Sequence, residues 1–443
     1  MFYAAAFALF CVACTILAFT RHPIYGVYFY FSTTYVYAPA RWWGGYLPDV
    51  RWALLAAAVT AMAIVVHRKT LKPKPLWLAQ GPAALLILYV VWMAIQTPWA
   101  LDLSEHVTGM TQIVKCLLAL WFVYRVIDSK ERLRDVAFAH VLGCALLGLY
   151  AQFTGRQQGR LDGVGGPNLD DANTLAMYLV TGAIVAVGLV ITQRSWRRWV
   201  SLASLVLITN GFILANSRGA FIGLVAGGLV LALTTARPHR RMFWAFAAVG
   251  MIGLVSLMDQ TFIDRMFTIE DVASDDENAD TSARSRVAVA KAQMQMFVEH
   301  PMGIGYRGTV VLSQRYLDRK WLTLGDDETA TRSSHSTFLT AMVEQGLPGA
   351  VIYGVLVLWV FSAALRIRRL NAACVDPELV TLGASFCAAL TVVLVAGISA
   401  DYLTKEVQFW LYAALLSVFW LAGDARTIEP RGSARPGARR VAA

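Results

Sequence analysis

The stretch "ANTLAMYLVTGAIVAVGLVIT" (172–192) runs for 21 residues without one charged side chain. As a helix rising 1.5 Å per residue it is about 31 Å long, the thickness of the hydrocarbon core of a bilayer. Ten further apolar blocks of similar kind recur at 51–66, 81–97, 107–127, 136–153, 199–215, 218–236, 241–258, 336–365, 378–400 and 406–422. The opening segment "MFYAAAFALFCVACTILAF" (1–19) lacks the basic flank of a cleaved signal peptide and reads as a retained helix. The short aromatic stretch "PIYGVYFYFSTTYVY" (23–37) reads as either a crossing or an interfacial segment. The predicted fold class is an all-α polytopic integral membrane protein with about 12 transmembrane helices. Composition agrees: 57% of residues are apolar, 15% are charged and the mean hydropathy is +0.53. A soluble domain carries about a quarter charged residues.

A net charge of +10 raises the question of nucleic acid. Its distribution answers no. The short loops at 67–75, 125–134, 194–198, 237–241 and 366–369, with the tail after 423, hold 22 Lys and Arg. The opposite short loops hold six: Arg41, Arg51, Arg156, Arg160, Arg218 and Lys405. That asymmetry is the positive-inside pattern and assigns the basic loops and the C-terminus to the cytoplasm. The tail 424–443, rich in Arg, Gly, Ala and Pro, reads as disordered, with charges suited to anionic membrane lipids. No cysteine falls in an exported loop, so no structural disulfide is expected.

The alternation exports 154–171, 215–218, 259–335 and 401–406. The third is far longer than an ordinary connection, and such loops are commonly functional. Within it, 284–298 carries Val287, Ala290, Met294, Phe297 and Val298 at helical spacing, predicting an amphipathic helix at the membrane surface. "HPMGIGYRG" (300–308) then breaks that helix. The chain divides into N-terminal membrane helices (1–153), membrane helices 154–258, the exported loop 259–335, C-terminal membrane helices (336–423) and the basic tail. Neither tandem repeats nor inverted halves with matched broken helices occur, which disfavours a secondary transporter.

Four places carry candidate chemistry. Arg218 stands at the exported start of a helix, where free backbone N–H groups and a planar guanidinium both suit phosphate. Gly219, Gly223 and Gly227 follow at spacing four and predict close helix packing beneath it. Arg284, Arg286 and Lys291 add exported positive charge; for each alone, a solvated helix face is the plainer reading. His335 sits where a polar loop enters an apolar block. Ser333 or Ser334 is expected to cap a helix beginning there, and the helix dipole favours the neutral imidazole that a general base requires. Glu344, nine residues on and expected within the membrane span, is a candidate to pair with a cation or orient a catalytic group. The loop 154–174 offers Arg160, Asp162, Asp170, Asp171 and Asn173, of which the acids and the Asn serve equally well as helix caps. The acidic clusters at 274–278 and 325–328 lack the spacing of a metal loop and read as solvated surface. No zinc spacing, P-loop or Gly-x-Ser-x-Gly elbow occurs, and no cofactor is expected. Arginines for phosphate with one base suit a hydroxyl attacking a lipid-linked diphosphate, whose leaving group needs charge neutralisation.

Four ordered stretches resemble the O-antigen ligase family, within the superfamily that includes O-antigen polymerases and bacterial O-glycosylation ligases. They are "GPNLDDANTLAMYL" (166–179), "NSRGAFIGL" (216–224), "SARSRVAVAKAQMQMFVEHPMGIGY" (282–306) and "HSTFLTAMVEQGLPG" (335–349). The resemblance implies a GT-C-like architecture in the bacterial inner membrane, with its active site facing the periplasm. It implies metal-independent transfer of a glycan from undecaprenyl diphosphate to a hydroxyl of the lipid A core. Arg218 and Arg286 match the phosphate-binding arginines, with Arg284 the neighbour that competes for the second assignment. His335 matches the base, and Ser217, Asn173, Arg160 and Glu344 are supporting candidates. Ala290 departs from the pattern, which often has an aromatic residue four after the motif arginine. The alternatives are a polymerase or protein O-glycosylation ligase using the same donor, and a flippase of lipid-linked sugars.

Overall fold

A computed structural model describes residues 1–156, 161, 163–166, 169, 171–258, 262–263, 281–324 and 330–428. The described residues are helical apart from loops and one antiparallel pair of two-residue strands, β1 (Thr323–Leu324) with β2 (Ala330–Thr331). The helices are α1 (Phe2–Thr20), α2 (Ile24–Tyr35), α3 (Trp52–Val66), α4 (Gly81–Gln96), α5 (Leu103–Val126), α6 (Lys130–Thr154), α7 (Ala172–Thr192) and α8 (Trp196–Ala215). There follow α9 (Arg218–Thr234), α10 (Arg240–Leu257), α11 (Thr281–Glu299), α12 (Gly308–Tyr316), α13 (Thr337–Val343), α14 (Gly346–Ala372), α15 (Pro377–Ala396) and α16 (Glu406–Ile428).

Among the described residues, ten helices are long and apolar enough to cross a membrane. Two more apolar helices, α3 and α9, are shorter. The protein is thus a polytopic membrane protein. The expected single block 336–365 is divided: α13 ends at Val343 and α14 starts at Gly346, whose φ of +66° turns the chain. Glu344 therefore stands in a break between helices, not within the long span.

Two helices form the centre. In both α7 and α15, 89% of the apolar window is buried by protein, whereas α10 buries 11% and lies at the periphery. The small-residue stripe on α9 meets α15, as the spacing predicts. A Cβ on Gly223 would lie 3.1 Å from the Val392 carbonyl, and one on Gly227 would lie 2.9 Å from that of Ala388. Glycine there lets the two backbones approach and fixes the height of α9 along α15.

The starts of α6 and α15 are joined by ion pairs at one end of the bundle. Lys130 Nζ reaches Asp376 at 2.6 Å and Glu378 at 3.2 Å, and Arg134 clasps Glu378 with two guanidinium nitrogens. Gln193, just past α7, donates to the same carboxylate at 2.8 Å. Several of the basic loops recognised in the sequence meet at this end.

Candidate active site

The opposite end is organised by a polar turn between α15 and α16, residues 397–405. Thr337, the first residue of α13, donates its backbone N–H to the Gly397 carbonyl at 2.8 Å and its hydroxyl to the Ala400 carbonyl at 3.0 Å. Its Oγ1 in turn accepts from the Tyr402 N–H at 2.8 Å. The Tyr402 hydroxyl donates to the Asn173 carbonyl at 3.0 Å, reaching the start of α7. Gly219 on α9 stands against Ser399 of the same turn. Three helix starts, each bearing one of the four motifs, thus converge on one short segment.

Each start is locally specified. Asp171 caps α7, its carboxylate accepting from Asn173 N at 3.0 Å and Thr174 N at 2.9 Å. Asn216 ends α8 in the left-handed region (φ +52°), and Ser217 then caps α9 by accepting from Ala220 N. The Ser217 hydroxyl also donates to Asn173 Oδ1 at 2.9 Å, so two of the supporting candidates are directly bonded. Arg218, next in line, is buried at 8% exposure at the first position of α9. Arg156 closes the end of α8 by donating to the Ile213 and Leu214 carbonyls.

His335 is half-buried and lies two residues before Thr337, so the anchored start of α13 fixes its distance from the polar turn. The expected caps are corrected. Ser336, not Ser333 or Ser334, accepts from Leu339 N, and the helix begins at Thr337. Ser334 instead bonds Ser336 through its side chain. The bond from Thr337 to Gly397 sets the helix start and leaves the cap to the residue before it.

The helix predicted at 284–298 forms as α11. Its expected apolar residues Val287, Met294 and Val298 point outward. A second face, Ser285, Val289, Ala292 and Met296, is buried against the protein, with Ala292 and Met296 packed against Ile304 and Val343. This inner face escaped the sequence reading because a membrane-surface helix has two apolar sides, one toward lipid and one toward protein. The face assignment separates the neighbouring arginines. Arg284 is exposed, whereas Arg286 is half-buried and within electrostatic reach of Tyr402, as is Asp171. Burial pushes the Tyr402 phenol well above its ordinary range, and Arg286 partly opposes that. Arg332, three residues before His335, donates to Ser285 between the two arginines, tying α11 to the segment that leads to His335.

Glu344 acts as a clamp. Its backbone carbonyl accepts from Ile304 N (3.1 Å), Gly305 N (2.9 Å) and the Gln96 side chain (2.7 Å). Its buried carboxyl accepts from the Thr309 hydroxyl at 2.5 Å. Burial raises this carboxyl to about 8; the Thr309 bond lowers it and nearby Asp401 raises it further. The "HPMGIGYRG" turn is thereby pinned beside α4 and α5. Tyr306 N–H donates to His106 Nδ1 at 2.9 Å, which holds that ring as the Nε2–H tautomer donating to the Met93 carbonyl at 2.8 Å. Gln96, His106, Thr337 and Tyr402 were not legible as site residues. The only signal was polarity inside or between apolar blocks, which does not name a partner.

Arg160, Asp162 and Asp170 lie outside the described residues, as do both acidic clusters. Among the described residues, no group of three or more His, Cys, Asp or Glu gathers as a metal-ion site would require.

A polytopic helical protein with motif arginines and a histidine near one polar turn at an end of the bundle is the class that fold and site define. Residues 203–354 match the family model described as O-Antigen ligase. The recognition read from the motifs therefore holds across the segment that carries Ser217, Arg218, Arg284, Arg286, His335 and Glu344. No curated protein matches the chain.

Proposed function

We propose that the protein is an O-antigen ligase, transferring a preassembled glycan from undecaprenyl diphosphate to a hydroxyl of the lipid A core at the periplasmic face of the inner membrane. One observation carries the reading: the turn 397–402 ties together the starts of α7, α9 and α13, beside Asn173, Arg218 and His335, with Arg286 facing Tyr402. Arg218 and Arg286 bind the donor diphosphate. His335 takes the proton of the acceptor hydroxyl as its oxygen bonds to the anomeric carbon. The bond from that carbon to the phosphate oxygen breaks, and the diphosphate leaves with the electron pair, its growing charge met by the guanidinium groups. No metal ion has a part in this scheme.

The test is His335→Ala in cells that assemble the lipid-linked glycan but lack a ligase of their own. With membrane insertion verified, wild type is expected to restore the lipopolysaccharide ladder. The variant is expected to lose it, by on the order of 10²-fold or more, while loaded donor accumulates outside the membrane. A full ladder from the variant removes His335 from the mechanism. A wild type that makes no ladder, but lengthens the glycan or modifies a protein, moves the acceptor to the polymerase or O-glycosylation reading. Donor trapped on the cytoplasmic side points to a flippase.

A further inference from the structure

Elsewhere in the bundle, α1, α2 and α6 enclose a groove of about 370 Å³. Its walls are Phe10, Phe31, Tyr35, Phe138, Leu142 and Leu146. Asp135 and Arg197 line its other end, with Tyr28 beside them. On α6 the lining runs from Asp135 to Leu146, twelve residues that span about 16 Å of helix. That is close to half the roughly 30 Å hydrocarbon core of a bilayer. The groove therefore has the depth of one leaflet and an apolar lining suited to a hydrocarbon chain.

The charge at its mouth selects the headgroup. Asp135 is the carboxylate among the lining residues, and it is shared by two cations, Arg132 at 3.2 Å and Arg197 at 2.7 Å; Asp128 also lies within electrostatic reach of Arg132. The three side chains together carry one net positive charge, and each guanidinium keeps donors beyond the one given to Asp135. The level is that of the headgroups. Trp196, 63% exposed and stacked edge-on to Phe138, is placed as an interfacial aromatic. The neighbouring 125–134 and 194–198 loops belong to the basic set assigned to the cytoplasm.

We propose that this groove binds one acyl chain of an anionic phospholipid of the cytoplasmic leaflet, with Arg132 and Arg197 holding its phosphate, and that the lipid fastens α1 and α2 to α6. The inference does not depend on the proposed reaction.

The experiment is native mass spectrometry of the purified full chain in detergent, delipidated and then offered phosphatidylglycerol and phosphatidylcholine with the same acyl chains at equal concentration. Wild type is expected to retain one phosphatidylglycerol, preferred roughly fivefold or more, the scale of one headgroup-level cation. Leu142→Trp, at the lipid-facing rim, fills the groove and is expected to abolish retention of that lipid. Arg197→Gln is expected to keep the groove but reduce the preference severalfold. No preference in wild type overturns the proposal, with no variant needed. Equal retention by folded Leu142→Trp also overturns it. If that variant does not fold, Leu146→Trp is the second groove-filling substitution, read in the same way.

Discussion

The two ends of the bundle are held together by different chemistry. At the end where α6 and α15 begin, Lys130 and Arg134 meet Asp376 and Glu378, so cations and carboxylates themselves do the joining. At the other end much of the joining is done by hydroxyl and amide groups: Ser217 to Asn173, Thr337 to Ala400, Tyr402 to Asn173 and Thr309 to Glu344. Hydroxyl and amide groups fix the positions of the helix starts beside Asn173, Arg218 and His335. The lesson is that the charge-joined end behaves as a stitch and the other as a mount.

Substitutions at the two ends are expected to differ in the size and kind of their effects. The largest concerns the arginines. Arg286→Ala is expected to lower ligation by on the order of 10²-fold, the scale of removing one charge-stabilising donor, whereas exposed Arg284→Ala changes it less than about threefold. Quantifying the glycan ladder at equal protein level checks this, and equal losses would erase the distinction drawn between the two faces of α11. The next effect lies at the stitched end. Glu378→Gln removes the acceptor shared by Arg134, Lys130 and Gln193 and is expected to cost about 2 kcal/mol. Thermal unfolding in detergent measures it. The deficit should shrink at high salt, while ligation per folded molecule stays near wild type.

The smallest effect is a slope. Glu344, with a folded pKa near 8, binds a proton in the folded state that the unfolded chain, near the ordinary 4.5, has already released at neutral pH. Stability contributed by this group is therefore full below about 4.5 and is lost as pH rises through 8. Wild-type melting temperature should fall across pH 6–9, and Glu344→Gln should flatten that fall. A variant with an unchanged slope would show that the buried carboxyl does not titrate in this window.

Much of the candidate site was legible because motif residues announce their chemistry. A serine before Arg218 with glycines at spacing four marks a capped, closely packed helix, and α9 has both features. Glu344 was misread because hydropathy runs straight through 336–365, while the break at Gly346 is enforced by backbone bonds from Ile304 and Gly305, some forty residues earlier. The inner face of α11 was missed for a related reason, since apolar spacing cannot tell lipid from protein as the partner.

By itself the sequence determined that this chain lives in a membrane, which loops are basic, and where the four short family-like motifs fall. These follow from transfer free energies and charge, properties of residues taken one segment at a time. Only the tertiary structure decided that the turn 397–402 gathers the motif helices, that Arg286 faces inward and Arg284 outward, and that Thr337 and Tyr402 are the joints. Those are contacts between residues as much as 229 positions apart. They arise from the packing of α9 and α7 against α15, which no local pattern records.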